Sequence, residues 1–86
     1  MPKHEIEITR SAEKTLRTLP KDAQRRVLSA VLELVEEPRP RQARKLTGYD
    51  DVFRLRVGRY RVLYSVEDQT LVVLILKIGH RRDVYR

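Results

Sequence analysis

The stretch FRLRVGRYR, residues 53–61, holds four arginines and no acid. A second basic cluster, His80, Arg81, Arg82, Tyr85 and Arg86, closes the chain. Arginine offers a planar, permanently charged fork that grips a phosphate through two parallel hydrogen bonds. Tyrosine and histidine add groups that can move a proton. Such a set can cleave RNA without a metal. The 2′-hydroxyl of a nucleotide attacks its own 3′ phosphate, a base takes the hydroxyl proton, cations carry the charge on the phosphorane, and an acid protonates the leaving 5′ oxygen. Arginines stabilise that charge well and donate protons poorly. A tyrosine hydroxyl ringed by arginines becomes a better base, because the cations favour the phenolate. If another body orients the RNA, a weak catalytic set suffices.

Other chemistries find less support. No arrangement of paired carboxylates suggests glycosidase-type work. His4 and His80 are too far apart in sequence to suggest a metal site by spacing, and His4 is expected on the surface at a strand edge. There is no glycine-rich phosphate loop and no Ser-His-Asp pattern. The chain has no cysteine, so it has neither a disulfide framework nor a thiolate metal site, which fits a reducing cytoplasm. No cofactor is implied. The 19 Lys and Arg against 12 Asp and Glu give a net charge of +7. That balance favours nucleic acid, an acidic protein or an anionic surface as partner. No apolar run reaches the roughly 18 residues of a membrane span, and MPKHEIEITR lacks the apolar stretch of a signal peptide, so no membrane role is expected.

The elements that must position these residues follow from the periodicity. With 86 residues, a single domain spanning 1–86 is expected. HEIEIT, residues 4–9, alternates and reads as a short strand. Thr9 or Ser11 caps a first helix that Pro20 ends. A second helix is expected from about Lys21 to Glu37, with Ala23, Val27, Val31 and Leu34 at helical spacing. The polar, proline-containing stretch 37–51 reads as loop. From Val52 the period is two. VFRLRV and YRVLYSV flank Gly58-Arg59, which suits a type II′ hairpin turn. A further turn at 67–70 leads to LVVLILKIG, residues 71–79, which reads as a central strand covered on both faces. The order is β-α-α-β-β-β, an α+β fold: a small antiparallel sheet with a helical hairpin packed on one face.

A two-residue turn at Gly58-Arg59 fixes the register. Phe53, Leu55, Val57, Tyr60, Val62 and Tyr64 then share the helix side, and Arg54, Arg56 and Arg61 share the other. Arg56 and Arg61 become directly opposed like charges, which costs stability unless an anion lies between them. The alternative is a solvated arginine face neutralised by Asp50, Asp51 or Asp83.

RVGRYRVLYSVEDQTLVVLILKIGHRRDVYR strongly resembles the C-terminal half of RelE toxins, in the RelE/ParE superfamily of type II toxin-antitoxin systems. The motifs that carry the likeness are G-x-Y-R-V-x-Y in the hairpin and x-G-H-R-x-x-x-Y at the end. SAEKTLRTLP and ARKLTG are similar too, so the resemblance covers nearly the whole chain. It implies a RelE-like fold and a cytoplasmic toxin that enters the A site of a 70S-type ribosome and cleaves the mRNA there as an endoribonuclease. It also implies a cognate antitoxin, RelB-like and acidic, with the toxin a monomer alone and a hetero-oligomer with that antitoxin. On this resemblance Arg61 and Arg81 stabilise charge at the scissile phosphate. Tyr85 is a general base or a stacking platform. Arg56 and His80 are candidates for proton chemistry, with a structural place at the strand end open for His80. Arg54, Arg56, Arg59, Arg82, Arg86 and Lys45 hold RNA phosphates. Two other functions fit the same fold: a ParE-like inhibitor of DNA gyrase, and a basic RNA- or ribosome-binding module without catalysis.

Overall fold

A computed structural model describes residues 3–80. The order of elements is β1 (Glu5–Ile8), α1 (Arg10–Thr18), α2 (Lys21–Glu33), β2 (Arg44–Lys45), β3 (Val52–Val57), β4 (Tyr60–Glu67) and β5 (Val72–His80). The strands form one sheet in the order β1-β5-β4-β3-β2. Both helices lie on one side of it. The fold is the expected α+β arrangement, with three differences in detail.

First, the sheet is not wholly antiparallel: β1 runs parallel to β5, from Glu5 opposite Val72 to Ile8 opposite Ile75. The αα-hairpin carries the chain across the sheet from β1 at one edge to β2 at the other, and antiparallel steps through β3 and β4 bring β5 back beside β1, the kind of long connection that parallel neighbours require. Second, the stretch read as loop contains β2, whose two residues pair with Phe53 and Arg54. Third, α2 ends at Glu33 rather than Glu37. The backbone N–H groups of Leu34, Val35 and Glu36 donate to Val31, Leu32 and Glu33, three residues back. This tightened last turn precedes Glu37-Pro38, where proline disfavours helical backbone in the residue before it.

Helix α1 starts where Thr9 accepts the Ala12 N–H at 3.2 Å. The amphipathic faces of both helices cover a core of Ala12, Leu16, Val27, Val31 and Leu34 against Phe53, Leu55, Val62, Tyr64, Val66, Val73, Ile75 and Ile78. Gln24 ties the helices together, donating to the carbonyls of Arg17 and Leu19 at 3.2 and 2.9 Å. Strand β5 is central, as expected, but it is fully buried on one side only. Val73, Ile75 and Ile78 are buried, while Val72, Leu74 and Lys77 on the other side are half-buried.

A β-bulge interrupts β5. Leu63 faces Lys77, yet the next residue, Tyr64, faces Ile75, so Leu76 has no partner. Its carbonyl accepts the Thr9 hydroxyl at 3.0 Å. The helix cap and the bulge are therefore held by one side chain. The bulge also decides where the end of β5 points, because the side-chain alternation restarts after it.

Candidate nucleic-acid interface

The hairpin has the expected register. Val57 faces Tyr60, Arg56 faces Arg61, Leu55 faces Val62, Arg54 faces Leu63 and Phe53 faces Tyr64. Gly58 takes φ +59, and Arg59 is not among the residues at positive φ, the pattern of a type II′ turn. Residues paired across a ladder share a face, so Arg54, Arg56 and Arg61 stand together on the side of the sheet away from the helices.

The same rule extends that face across the sheet. Arg44 pairs with Arg54, and Leu63 pairs with Lys77, so one row reads Arg44, Arg54, Leu63, Lys77. The adjacent row reads Arg56, Arg61, Gly79. Strands lie about 4.8 Å apart and side chains on one face recur every ~7 Å along a strand. Five cations therefore occupy two neighbouring rows, and no acid falls in either. The acids of this face are at its opposite end: Glu5 and Glu7 on β1 and Glu67 on β4. Val52, Ser65 and Leu74 lie between, half-buried. Arg61 is 8% exposed, although it lies away from the helices, whereas Arg56 is exposed.

Two expected members fall elsewhere. Lys45 pairs with Phe53, which puts it on the helix side; its neighbour Arg44 is the residue that joins the basic face. His80 pairs with Tyr60 and packs against it edge-on, the ring centroids 6.0 Å apart at 82°. The bulge turns His80 to the helix side, away from Arg56 and Arg61. Arg59 sits at the exposed tip of the turn. Arg81, Arg82, Tyr85 and Arg86 lie outside the described residues. The chain leaves β5 at His80, beside the turn and one residue beyond the row of Arg56 and Arg61.

Arg44 and Lys77 escaped the sequence reading. A two-residue strand has no period to detect. Lys77 did leave a signal, since a lone lysine in an apolar run must reach solvent, and here only a bulge achieves that.

His4 is another correction. It is 9% exposed, not a surface residue. Its N–H donates to the Val35 carbonyl at 3.0 Å, and its Nε2 lies 3.3 Å from Asp68. Asp68 is gripped by Arg39 through two bonds of 3.2 and 2.8 Å. Those hydrogen bonds hold the Asp68 carboxyl below its ordinary pKa and the Arg39 guanidinium above its own. Arg39 also approaches Asp51 at 3.7 Å and lies 5.5 Å from the centre of the Phe53 ring. Phe53 in turn stacks on Tyr64. Tyr64 is fully buried and donates to the Pro38 carbonyl at 2.8 Å. Burial pushes its hydroxyl up to about 12, with Glu37 adding to the rise and Arg39 opposing it.

An open basic sheet face backed by a helical hairpin defines a small α+β toxin of the RelE/ParE kind, and comparison with known proteins agrees. The family profile for the "ParE toxin of type II toxin-antitoxin system, parDE" matches residues 6–85. The chain is 37% identical to toxin RelG of Mycobacterium tuberculosis, covering 94% of each. It is 31% identical to the mRNA interferase toxin RelE of Escherichia coli K12, covering 93% of this chain and 87% of that one. The solved archaeal RelE-RelB complex of Pyrococcus horikoshii superposes with a TM-score of 0.83 at 37% identity, over 98% of this chain and all of that one. The chain belongs to the RelE family of toxins within the RelE/ParE superfamily.

Proposed function

We propose that this toxin is a ribosome-dependent mRNA endonuclease. The observation that carries the reading is the acid-free cluster of Arg44, Arg54, Arg56, Arg61 and Lys77 at the end of the sheet where the chain runs on to Arg81. Arg56 directly opposite Arg61 is a repulsive pair, and a phosphate lying between them removes the repulsion. In the reaction, the 2′-oxygen forms a bond to its own 3′ phosphorus while the bond from phosphorus to the 5′ oxygen breaks. The products are a 2′,3′-cyclic phosphate and a 5′-hydroxyl. Arg61 and Arg81 stabilise the extra negative charge of the phosphorane. Tyr85 takes the 2′-hydroxyl proton or stacks on a base, and water supplies the proton that turns the leaving 5′ oxygen into the 5′-hydroxyl. Arg54, Arg56, Arg82 and Arg86 hold the flanking phosphates, joined by Arg44 and Lys77. Supporting this, the similar E. coli protein is named an mRNA interferase.

A RelB-like antitoxin is the natural partner, since the similar P. horikoshii toxin is found in complex with RelB. An acidic segment covering the basic rows would neutralise the patch and add buried area to a small domain, stabilising it by mass action. The toxin works in the cytoplasm, where the ribosome orients the message.

The test adds the protein to a cell-free translation reaction and maps mRNA 5′ ends by primer extension, with and without ribosomes. Cuts that require ribosomes and vanish in Arg81→Ala are expected, with the residual rate of Tyr85→Phe assigning its role. Intact message from folded protein would sink the reading. Because the matching profile is described by the ParE toxin, inhibition of DNA gyrase supercoiling is the second reading to assay.

A further inference from the structure

A groove of about 230 Å³ lies on the other side of the hairpin tip, between the first turns of α2 and the Gly58-Arg59 turn. Ala23, Val57 and Tyr60 supply apolar and aromatic surface, and Asp22, Arg26 and Arg59 supply charge. Pockets for drug-sized ligands begin at roughly 300 Å³, so this one suits a single planar ring. Tyr60 is half-buried, and the His80 ring packed edge-on against it limits its rotamers. Arg26 reaches across from α2 to the turn: a Cβ at position 58 would lie 3.7 Å from its Nη1. Among the described residues neither Arg26 nor Arg59 forms an ion pair, and Asp22 is likewise unpaired. Two exposed guanidiniums, an exposed carboxylate and a held tyrosine ring thus converge on one ring-sized space, and no ion pair among the described residues engages the three charged groups.

We propose that this groove seats one base of the RNA strand whose phosphates lie on the arginine face, an inference that rests on the reading above. The hairpin tip separates the two sites, so a strand crossing it presents phosphates to one side and a base to the other. The base stacks on Tyr60, a sequence-tolerant contact typical of single-strand binding. Arg26 and Arg59 hold the flanking phosphate. Asp22, which only accepts hydrogen bonds, takes a donor hydrogen from the pairing edge of the base, such as one of the amino group of cytosine.

The experiment measures binding of a 5′-labelled hexaribonucleotide to the full chain at low salt, with no ribosome. A parallel series replaces each base in turn by an abasic site. Tyr60→Leu should weaken binding of the intact oligonucleotide roughly 5- to 150-fold, the range for stacking one base on an aromatic ring. Tyr60→Phe should keep near-parental affinity. One abasic position should cost the parent the same factor and cost Tyr60→Leu nothing more. Thermal unfolding of both variants guards against a folding defect, and Tyr60→Phe remains informative if Tyr60→Leu fails to fold. Equal abasic losses in parent and Tyr60→Leu, a Tyr60→Phe loss as large as that of Tyr60→Leu, or no parental binding would each overturn the groove. None of those outcomes touches ribosome-dependent cleavage, which has its own readout. Conversely, a non-additive cycle with no cleavage on ribosomes would leave the groove standing and remove the nuclease.

Discussion

Two ends of one sheet treat arginine in opposite ways. At the β4–β5 turn, Arg39 is held by Asp68, approached by Asp51 and laid over Phe53. Its charge is matched and its planar group is packed, so it works as a brace for the loop after α2. At the hairpin tip, Arg54, Arg56 and Arg61 share two neighbouring rows with two further cations and no acid. Asp51, which the sequence offered as a neutraliser for that face, is on Arg39 instead. The difference separates structure from function without reference to residue type. A charge that the fold answers is there for stability. A charge set directly opposite its like, as Arg56 is opposite Arg61, costs stability, and is retained for something outside the fold.

That contrast predicts a division of effects, and Arg61 gives its sharpest test. Arg61→Gln keeps polar bulk but removes the charge, and should lower ribosome-dependent cleavage by about 10²–10³, the scale of one lost transition-state donor. Primer extension with quantified product measures it. A rate within threefold of the parent would break the assignment of this end to chemistry.

The braced end should answer to pH instead. The Tyr64 hydroxyl, raised to about 12 by burial, has a higher pKa folded than unfolded. Its contribution is fully present below pH ~10 and is lost as pH rises towards 12, by on the order of 2–3 kcal/mol. Tyr64→Phe should remove that dependence, while costing about 1–2 kcal/mol near neutrality because the Pro38 carbonyl loses its donor. Urea denaturation of both proteins across pH 9–12 gives the difference curve, and parallel curves would refute the buried-hydroxyl account.

Reversing one charge should set the two ends against each other. Arg56→Glu turns a like pair with Arg61 into an opposite one, so stability should rise by roughly 0.2–1 kcal/mol while cleavage falls. A variant that loses both would mean that Arg56 is a structural residue. The smallest effect belongs to Asp68→Asn. Arg39 holds the Asp68 carboxyl below its ordinary value of 3.8, so its stabilisation is present above that pH and fades as pH falls through the lower native value. Acid unfolding of Asp68→Asn should lack that slight extra slope, seen as parent-minus-variant melting temperature between pH 5 and 2.

Much of this was legible in the residues. Alternation in VFRLRV and YRVLYSV, with Gly58 at the turn, was enough to give every pair of the hairpin. The helices followed from their apolar stripes and Pro20. What stayed hidden depended on contacts between segments distant in sequence. The parallel pairing of β1 with β5 has no local signature. His4 looked like an edge residue because its partners, Val35 and Asp68, are far along the chain. The bulge at Leu76 was invisible because leucine fits either side of an apolar run. It moved Lys77 onto the basic face and His80 off it.

That bulge gives β5 one residue to spare. Leu76 is the one residue of β5 without a partner across the ladder from β4. Loss of its codon, three nucleotides with the reading frame intact, would let the ladder close in regular alternation. Lys77 would still face Leu63 and Gly79 would still face Arg61, because Ile75 and Lys77 would become neighbours on opposite sides, as Tyr64 and Leu63 already are. What the deletion removes is the carbonyl that accepts the Thr9 hydroxyl, so the arrangement of the basic face is insured against loss of one codon at this place.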